Sequence, residues 1–410
     1  MSKTGISVIP AIIFLAALSV SADSGQLYGK IYTTDNKVLE GVIRWDKNEG
    51  FWDDILDGYK TLDESGSRSS KSRESRERTI RVLGVTIFRE SRSGDGWDFF
   101  NEAQSGIRMG HIRTIIPDGD DQAILVLKSG QKVELKNSST DIGSGIRELL
   151  IDDKDEGLTE VYWEDIDKIE FESTPKIESD FGRRLYGTLS TRRGESFTGY
   201  ICWDIDEIYD KDILDGKDRQ HNRKIEFSKI KSIEGRSSQS SLVTLKNGKE
   251  LRLDESNDVD SGNRGIAVSD PALGRIVIPW DEFDLVEFKD PPSSPAYSEY
   301  DGGERLHGTV YTEDGEKYTG DIRWDNDEEY TWEILDGNYE DTQFDIEFGA
   351  VKSIEKISSR GSTVTLKDGR SYKLRDSNDV NSENKGIFIQ NARGETVVHW
   401  DEFEKVDFSR

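Results

Sequence analysis

Apolar and small residues alternate with polar ones along Tyr318, Thr319, Gly320, Asp321, Ile322, Arg323 and Trp324. That is the period of a strand with one covered face. The same alternation runs through Gly41, Ile43 and Trp45 early in the chain and through Gly199, Ile201 and Trp203 in its middle. Asp314-Gly315, Asp368-Gly369 and Asn247-Gly248 interrupt such runs. Each pair is a hairpin signal, because glycine takes positive φ without a Cβ clash. Beyond the first 22 residues no stretch carries a long helical period, so the expected fold class is all-β.

The pattern recurs at fixed offsets. Leu27, Gly29, Gly41, Trp45, Asp46, Asp57 and Gly58 return as Leu185, Gly187, Gly199, Trp203, Asp204, Asp215 and Gly216. They return again as Leu306, Gly308, Gly320, Trp324, Asp325, Asp336 and Gly337. A second block repeats too: Val243, Gly248, Asn257, Asp258 and Trp280 match Val364, Gly369, Asn378, Asp379 and Trp400, with Leu125, Gly130 and Trp163 as a looser first copy. Fixed-offset similarity marks copies of one supersecondary unit. We read three tandem units, 26–171, 183–288 and 305–410, separated by 172–182 and by the proline-containing 289–304.

Each unit contains a fainter duplication. Val310, Asp314, Gly315 and Tyr318 match Val364, Asp368, Gly369 and Tyr372, and Phe348, Val351 and Ile354 match Trp400, Phe403 and Val406. The closing run Ile278, Pro279, Trp280, Phe283, Val286 and Phe288 resembles the strand, single 3₁₀ turn and last strand of SH3-like and Sm-like small barrels. That resemblance concerns fold alone and implies two five-stranded barrels per unit. One two-sheet sandwich per unit is the alternative. Unit one departs by an insertion over about 60–106, which opens on a Ser/Arg-rich run and continues into a predicted strand at 80–88. Residues 68–81 carry six basic side chains against two acidic, which suits a latch onto an acidic face.

Charge narrows the partners. The chain has 82 Asp and Glu against 55 Lys and Arg, a net −27, and such a surface repels phosphate backbones. Nucleic acid is therefore not an expected partner. Lys3, the apolar run 6–20 and the small residues Val20, Ser21 and Ala22 form a signal-peptide pattern over 1–22. No later segment is apolar enough to span a bilayer, so the mature chain is expected without a transmembrane insertion, secreted or periplasmic. A single cysteine, Cys202, excludes internal disulfides, and its place in the alternation puts it on the outward face of its strand.

No catalytic arrangement stands out. His111, His221, His307 and His399 are scattered, with no metal-ligand spacing among them or to Cys202, and no nucleophile or phosphate-loop motif is present. The chain reads as not an enzyme. The loop after each Trp-Asp is acidic, with Asp204, Asp206, Asp210 and Asp212 in unit two and Asp325 and Asp327 in unit three. Calcium takes hard oxygen ligands of this kind, which makes these six residues candidate Ca²⁺ ligands; no other cofactor is indicated. The same loops carry Phe51, Trp52, Tyr209, Tyr330 and Trp332, candidate rings for binding a protein or a glycan. The expected function is an exported, non-enzymatic binding or scaffold protein, calcium-assisted. Alternatives are a structural or assembly component of the cell envelope, self-associating through edge strands, and a hydrolase accessory subunit.

Overall fold

The computed structural model describes residues 24–61, the strands at 78–82 and 85–90, and 102–409 without 138, 139 and 220. The signal-like segment 1–22 and most of the basic run lie outside these residues. Among the described residues the chain is all-β, with short 3₁₀ turns and no α-helix. Among the described residues no helix is long and apolar enough to cross a membrane. The Asp-Gly and Asn-Gly pairs turn hairpins as expected: Gly248, Gly315 and Gly369 have φ of 83°, 89° and 95°. Within the insertion, Arg78–Val82 and Val85–Glu90 pair as a hairpin of their own.

Strands of the third unit lie in one antiparallel ladder. From one edge to the other it runs Thr342–Glu347, Ile334–Tyr339, Ser371–Arg375, Gly361–Leu366, Val351–Ser358, Phe403–Phe408, His307–Thr312, Lys317–Arg323, Ile387–Asn391 and Gly394–Val398. The strands of units one and two follow the same order. Among the described residues no ladder closes into a barrel, which corrects the expectation of two five-stranded barrels per unit. Nor does a unit split into two separate hydrogen-bonded sheets. The reason lies after Trp324. The acidic loop carries the chain away from its own second strand, so Lys317–Arg323 pairs with Ile387–Asn391 of the other half. The reciprocal contact joins Ile334–Tyr339 to Ser371–Arg375 at Asn338 and Arg375. The two halves thus exchange strands, and their last strands, Val351–Ser358 and Phe403–Phe408, pair at the centre.

Three kinds of joint connect the units. Units two and three share a ladder: Gly274–Ile278 pairs with Thr342–Glu347, which fuses their strands into one 20-stranded sheet over a common core. Units one and two meet through equivalent loops, where the rings of Phe51 and Tyr209 lie 5.4 Å apart. Arg184 spans this joint to Asp53 (2.5 Å) and Asp54 (2.6 Å), and Arg44 spans it to Asp212 (2.7 Å). Units one and three meet through Lys60 on Glu333 and through Arg108 and His111 on Glu347 (3.2 and 2.7 Å). At the meeting point of all three, Arg275 of unit two binds Asp57 of unit one (3.0 Å) and Asp345 of unit three (2.7 Å). All three side chains are buried, so any one of them left alone would be a costly uncompensated charge.

The segment 289–304 reads as a flexible linker in the sequence, but it is packed across unit one. Tyr297 donates its hydroxyl to the Ile112 carbonyl (2.9 Å) beneath the Lys128 ammonium, and Tyr300 stands edge-on to His111.

Candidate functional site

The site is built the same way in each unit. Trp45, Trp203 and Trp324 end their strands fully buried and donate their indole N–H to the main-chain oxygens of Asp141, Asp258 and Asp379 (2.8, 2.9 and 3.0 Å). The next two residues, Asp46-Lys47, Asp204-Ile205 and Asp325-Asn326, all have positive φ and reverse the chain sharply. The reversal brings the amides of Glu49, Glu207 and Glu328 back to the tryptophan carbonyls, at 3.0 Å in each copy. Asp141, Asp258 and Asp379 then accept the amides of Asp57, Asp215 and Asp336 (2.7, 2.6 and 2.9 Å). Three carboxylates are therefore drawn together per unit: Asp46, Glu49 and Asp141; Asp204, Glu207 and Asp258; Asp325, Glu328 and Asp379.

The first aspartate of each set clamps the second loop. Asp46 and Asp204 accept the backbone amides of Arg147 and Arg264 (2.6 Å each) and pair with the same residues' guanidinium groups (2.9 Å each). Asp325 does the same with Lys385. The glutamates are left less well served. Glu49 Oε2, Glu207 Oε2 and Glu328 Oε2 are buried with no hydrogen-bond partner among the described residues. Burial, reinforced by the neighbouring carboxylates, pushes all three well above the usual glutamate range. Burial likewise raises Asp258 and Asp327 to about 6.

The candidate calcium ligands do not converge. Asp204 is occupied by Arg264 and Asn257, and Asp206 pairs with Arg147 and Arg264. Asp210 pairs with Arg183 (3.0 Å), and Asp212 takes the amides of Ile208 and Tyr209 besides Arg44. Asp325 holds Lys385 and Asn378. Among the described residues, only Asp46, Glu49 and Asp141 bring carboxylate oxygens within 4.8 Å of one another. There the Arg147 guanidinium already sits on Asp46, Asn48 bonds Glu49, and the Asp57 amide bonds Asp141, so the set is not an open cage of six oxygens.

Nor do the candidate rings form a ligand face. Phe51, Trp52, Tyr209 and Trp332 are at most 2% exposed and pack in the core around unit one; Tyr330 is half-buried, stacked on Trp332 under Arg305. Cys202 points away from its own unit as the alternation requires, but unit one covers it, and burial drives its thiol pKa up.

The residues that sequence reasoning passed over are the glutamates and the second-loop aspartates. Their signal is the threefold recurrence of Trp-Asp-x-x-Glu together with Asn-Asp-Val, Asn-Asp-Val and Thr-Asp-Ile. In unit three this group opens into a cavity of about 450 Å³ where the three units meet. Asp57, Asp327, Glu328, Asp345, Asp379 and Glu383 line it, with Arg275 and Lys385 as its basic members. Asp327 Oδ1 and Glu328 Oε2, both more than nine-tenths buried, lack a hydrogen-bond partner there. Comparison with family models, curated proteins and solved structures returned no match.

Proposed function

We propose that this chain is an exported, non-enzymatic scaffold that binds a protein partner through basic side chains. One observation carries the reading: eight carboxylates face two basic side chains in the cavity at the junction of the units, and two of the buried carboxylate oxygens have no hydrogen-bond partner among the described residues. A lysine or arginine entering it supplies the missing donors and offsets charge that burial now makes costly. A glycan fits less well, because four of the five rings that would stack on it, Phe51, Trp52, Tyr209 and Trp332, are buried. Calcium has no part in this reading, since Arg147, Arg264 and Lys385 take the place of the cation. Export rests on the pattern of residues 1–22.

Calorimetry with a short oligolysine or oligoarginine peptide tests the reading. Asp327→Asn with Glu328→Gln is expected to weaken binding at least about tenfold. Acidification from pH 7 to 5 is expected to weaken it too, because Asp327 gains a proton near 6. Equal affinity for the variant and the wild type would refute it.

A further inference from the structure

The joint between units two and three uses two strand edges that recur elsewhere in the chain. Gly274–Ile278 of unit two pairs with Thr342–Glu347 of unit three in the register Gly274↔Ile346, Arg275↔Asp345, Ile276↔Phe344 and Val277↔Gln343. The strand of unit three equivalent to the first is Gly394–Val398, and the strand of unit two equivalent to the second is His221–Glu226. Both end their ladders without a further partner strand among the described residues. The Glu395 side chain is 48% exposed and Lys224 78%, where Arg275 and Asp345 are each 4% exposed. A Cβ on Gly274 would collide with the Asp345 carbonyl, whereas beside Gly394, at φ 123°, there is open space.

We propose that a second copy of this chain pairs its His221–Glu226 edge with the Gly394–Val398 edge of the first, repeating the internal joint between molecules. The chemistry at the open edges matches with its signs reversed. Where Arg275 faces Asp345, the same register sets Glu395 against Lys224. Where Arg193 binds Glu340 (2.8 Å), the equivalent residues are Asp314 and Arg219, both exposed. Where Phe197 meets Phe344 edge-on at 6.0 Å, the equivalents are Tyr318 and Arg223, a ring and a cation. Glu395 now lies 3.5 Å from Arg323, Lys224 lies 3.7 Å from Asp215, and Arg223 binds Asp218; the first two are loose, solvent-facing contacts that pairing can displace.

Charges on a strand edge ordinarily discourage pairing, but these are placed to admit one partner and reject others. The third strand of this class, Gly157–Glu160, carries Leu158 at the position of Glu395 and offers Lys224 no counter-charge. Because the two edges differ and sit at opposite ends of the fused sheet, the contact is head to tail. It generates chains or rings rather than a closed twofold dimer.

The inference rests on the scaffold reading only in that the second copy becomes one of the scaffold's partners. Sedimentation velocity on the full chain, from micromolar concentration upward, tests it. The wild type is expected to grow in mass with concentration. Glu395→Lys alone, or Lys224→Glu alone, is expected to raise the dissociation constant at least about tenfold, because like charges then face each other. Mixing the two variants restores both contacts, and assembly with them, since each tail then meets a head of opposite sign. Both sites are exposed, so an unchanged melting temperature separates this loss from misfolding. A wild type that stays a single chain throughout, or single variants that assemble as it does, would overturn the proposal. Calorimetry with the basic peptide on the same samples keeps the readings apart. A single chain that still binds peptide overturns self-pairing and leaves the scaffold reading standing; assembly without peptide binding supports self-pairing and removes the cavity.

Discussion

Gly274–Ile278 and Gly394–Val398 hold the same place in ladders of the same order, yet the first is buried along its whole length and the second is mostly open. The first reads Gly-Arg-Ile-Val-Ile and the second Gly-Glu-Thr-Val-Val. Ile276 and Ile278 face their own core in the first; Val398 keeps the second of these positions, while Thr396 replaces the isoleucine at the other. They differ in the outward positions, where Arg275 carries the counter-charge for Asp57 and Asp345 and where Glu395 carries a charge of opposite sign. The backbone of the unit supplies an edge in either case. Side chains on its outer face decide whether the edge is closed within the chain or left for another molecule.

Removing the guanidinium at the closed edge is the most severe way to break this contrast. Arg275→Ala leaves Asp57 and Asp345 buried together without their cation, and a loss of about 3–5 kcal/mol is expected in denaturant unfolding. Glu395→Ala, at the matching exposed position, should change stability by less than about 0.5 kcal/mol. A similar cost at both positions would mean that the two edges do not differ as described.

Glycine substitutions sharpen the same point at lower energy. Gly274→Ala has to accommodate both a positive φ and a clash with the Asp345 carbonyl, while Gly394→Ala has to accommodate the φ alone. Expected losses are about 2–3 and about 1 kcal/mol, read from the same unfolding curves.

The carboxylate clusters make a prediction about pH. Burial holds Glu49, Glu207 and Glu328 above their unfolded values, so the folded chain binds their protons more tightly than the unfolded one does. Their contribution is fully present below the unfolded glutamate pKa and is lost as pH rises through the folded one. Glu328→Gln should therefore raise the melting temperature at pH 8 and flatten its decline between pH 5 and 8. An unchanged profile would mean that Glu328 is ionised without cost. The smallest effect is expected from calcium: at millimolar concentration the melting temperature should not move, and a rise of several degrees that Glu49→Gln abolishes would restore a metal to unit one.

Much of the framework was legible in local pattern. Alternation marks Lys317–Arg323 and its equivalents, and the Asp-Gly and Asn-Gly turns sit where glycine adopts positive φ. Pairing between half-units was not legible, because the route of the loop after Trp324 depends on where the other half lies. Burial of the loop rings was hidden for a related reason. Phe51 and Tyr209 meet across the joint between units one and two, with Arg184 over the first ring and Phe181 and Arg44 on the second, which nothing local to either loop reveals. Cys202 follows the same logic, outward in its strand and inward in the molecule. The acidic loops were recognised as acidic, but their counter-charges come from far along the chain: Arg147 reaches Asp206, and Lys60 reaches Glu333.

Amide hydrogen exchange at the two equivalent strands is the most direct test. At low concentration strong protection is expected over 274–278 and fast exchange at the outward amides of 394–398, with protection at 394–398 and 221–226 rising together as concentration increases. Equal protection of both strands in the single chain, or fast exchange at 274–278, would contradict the contrast between the two edges.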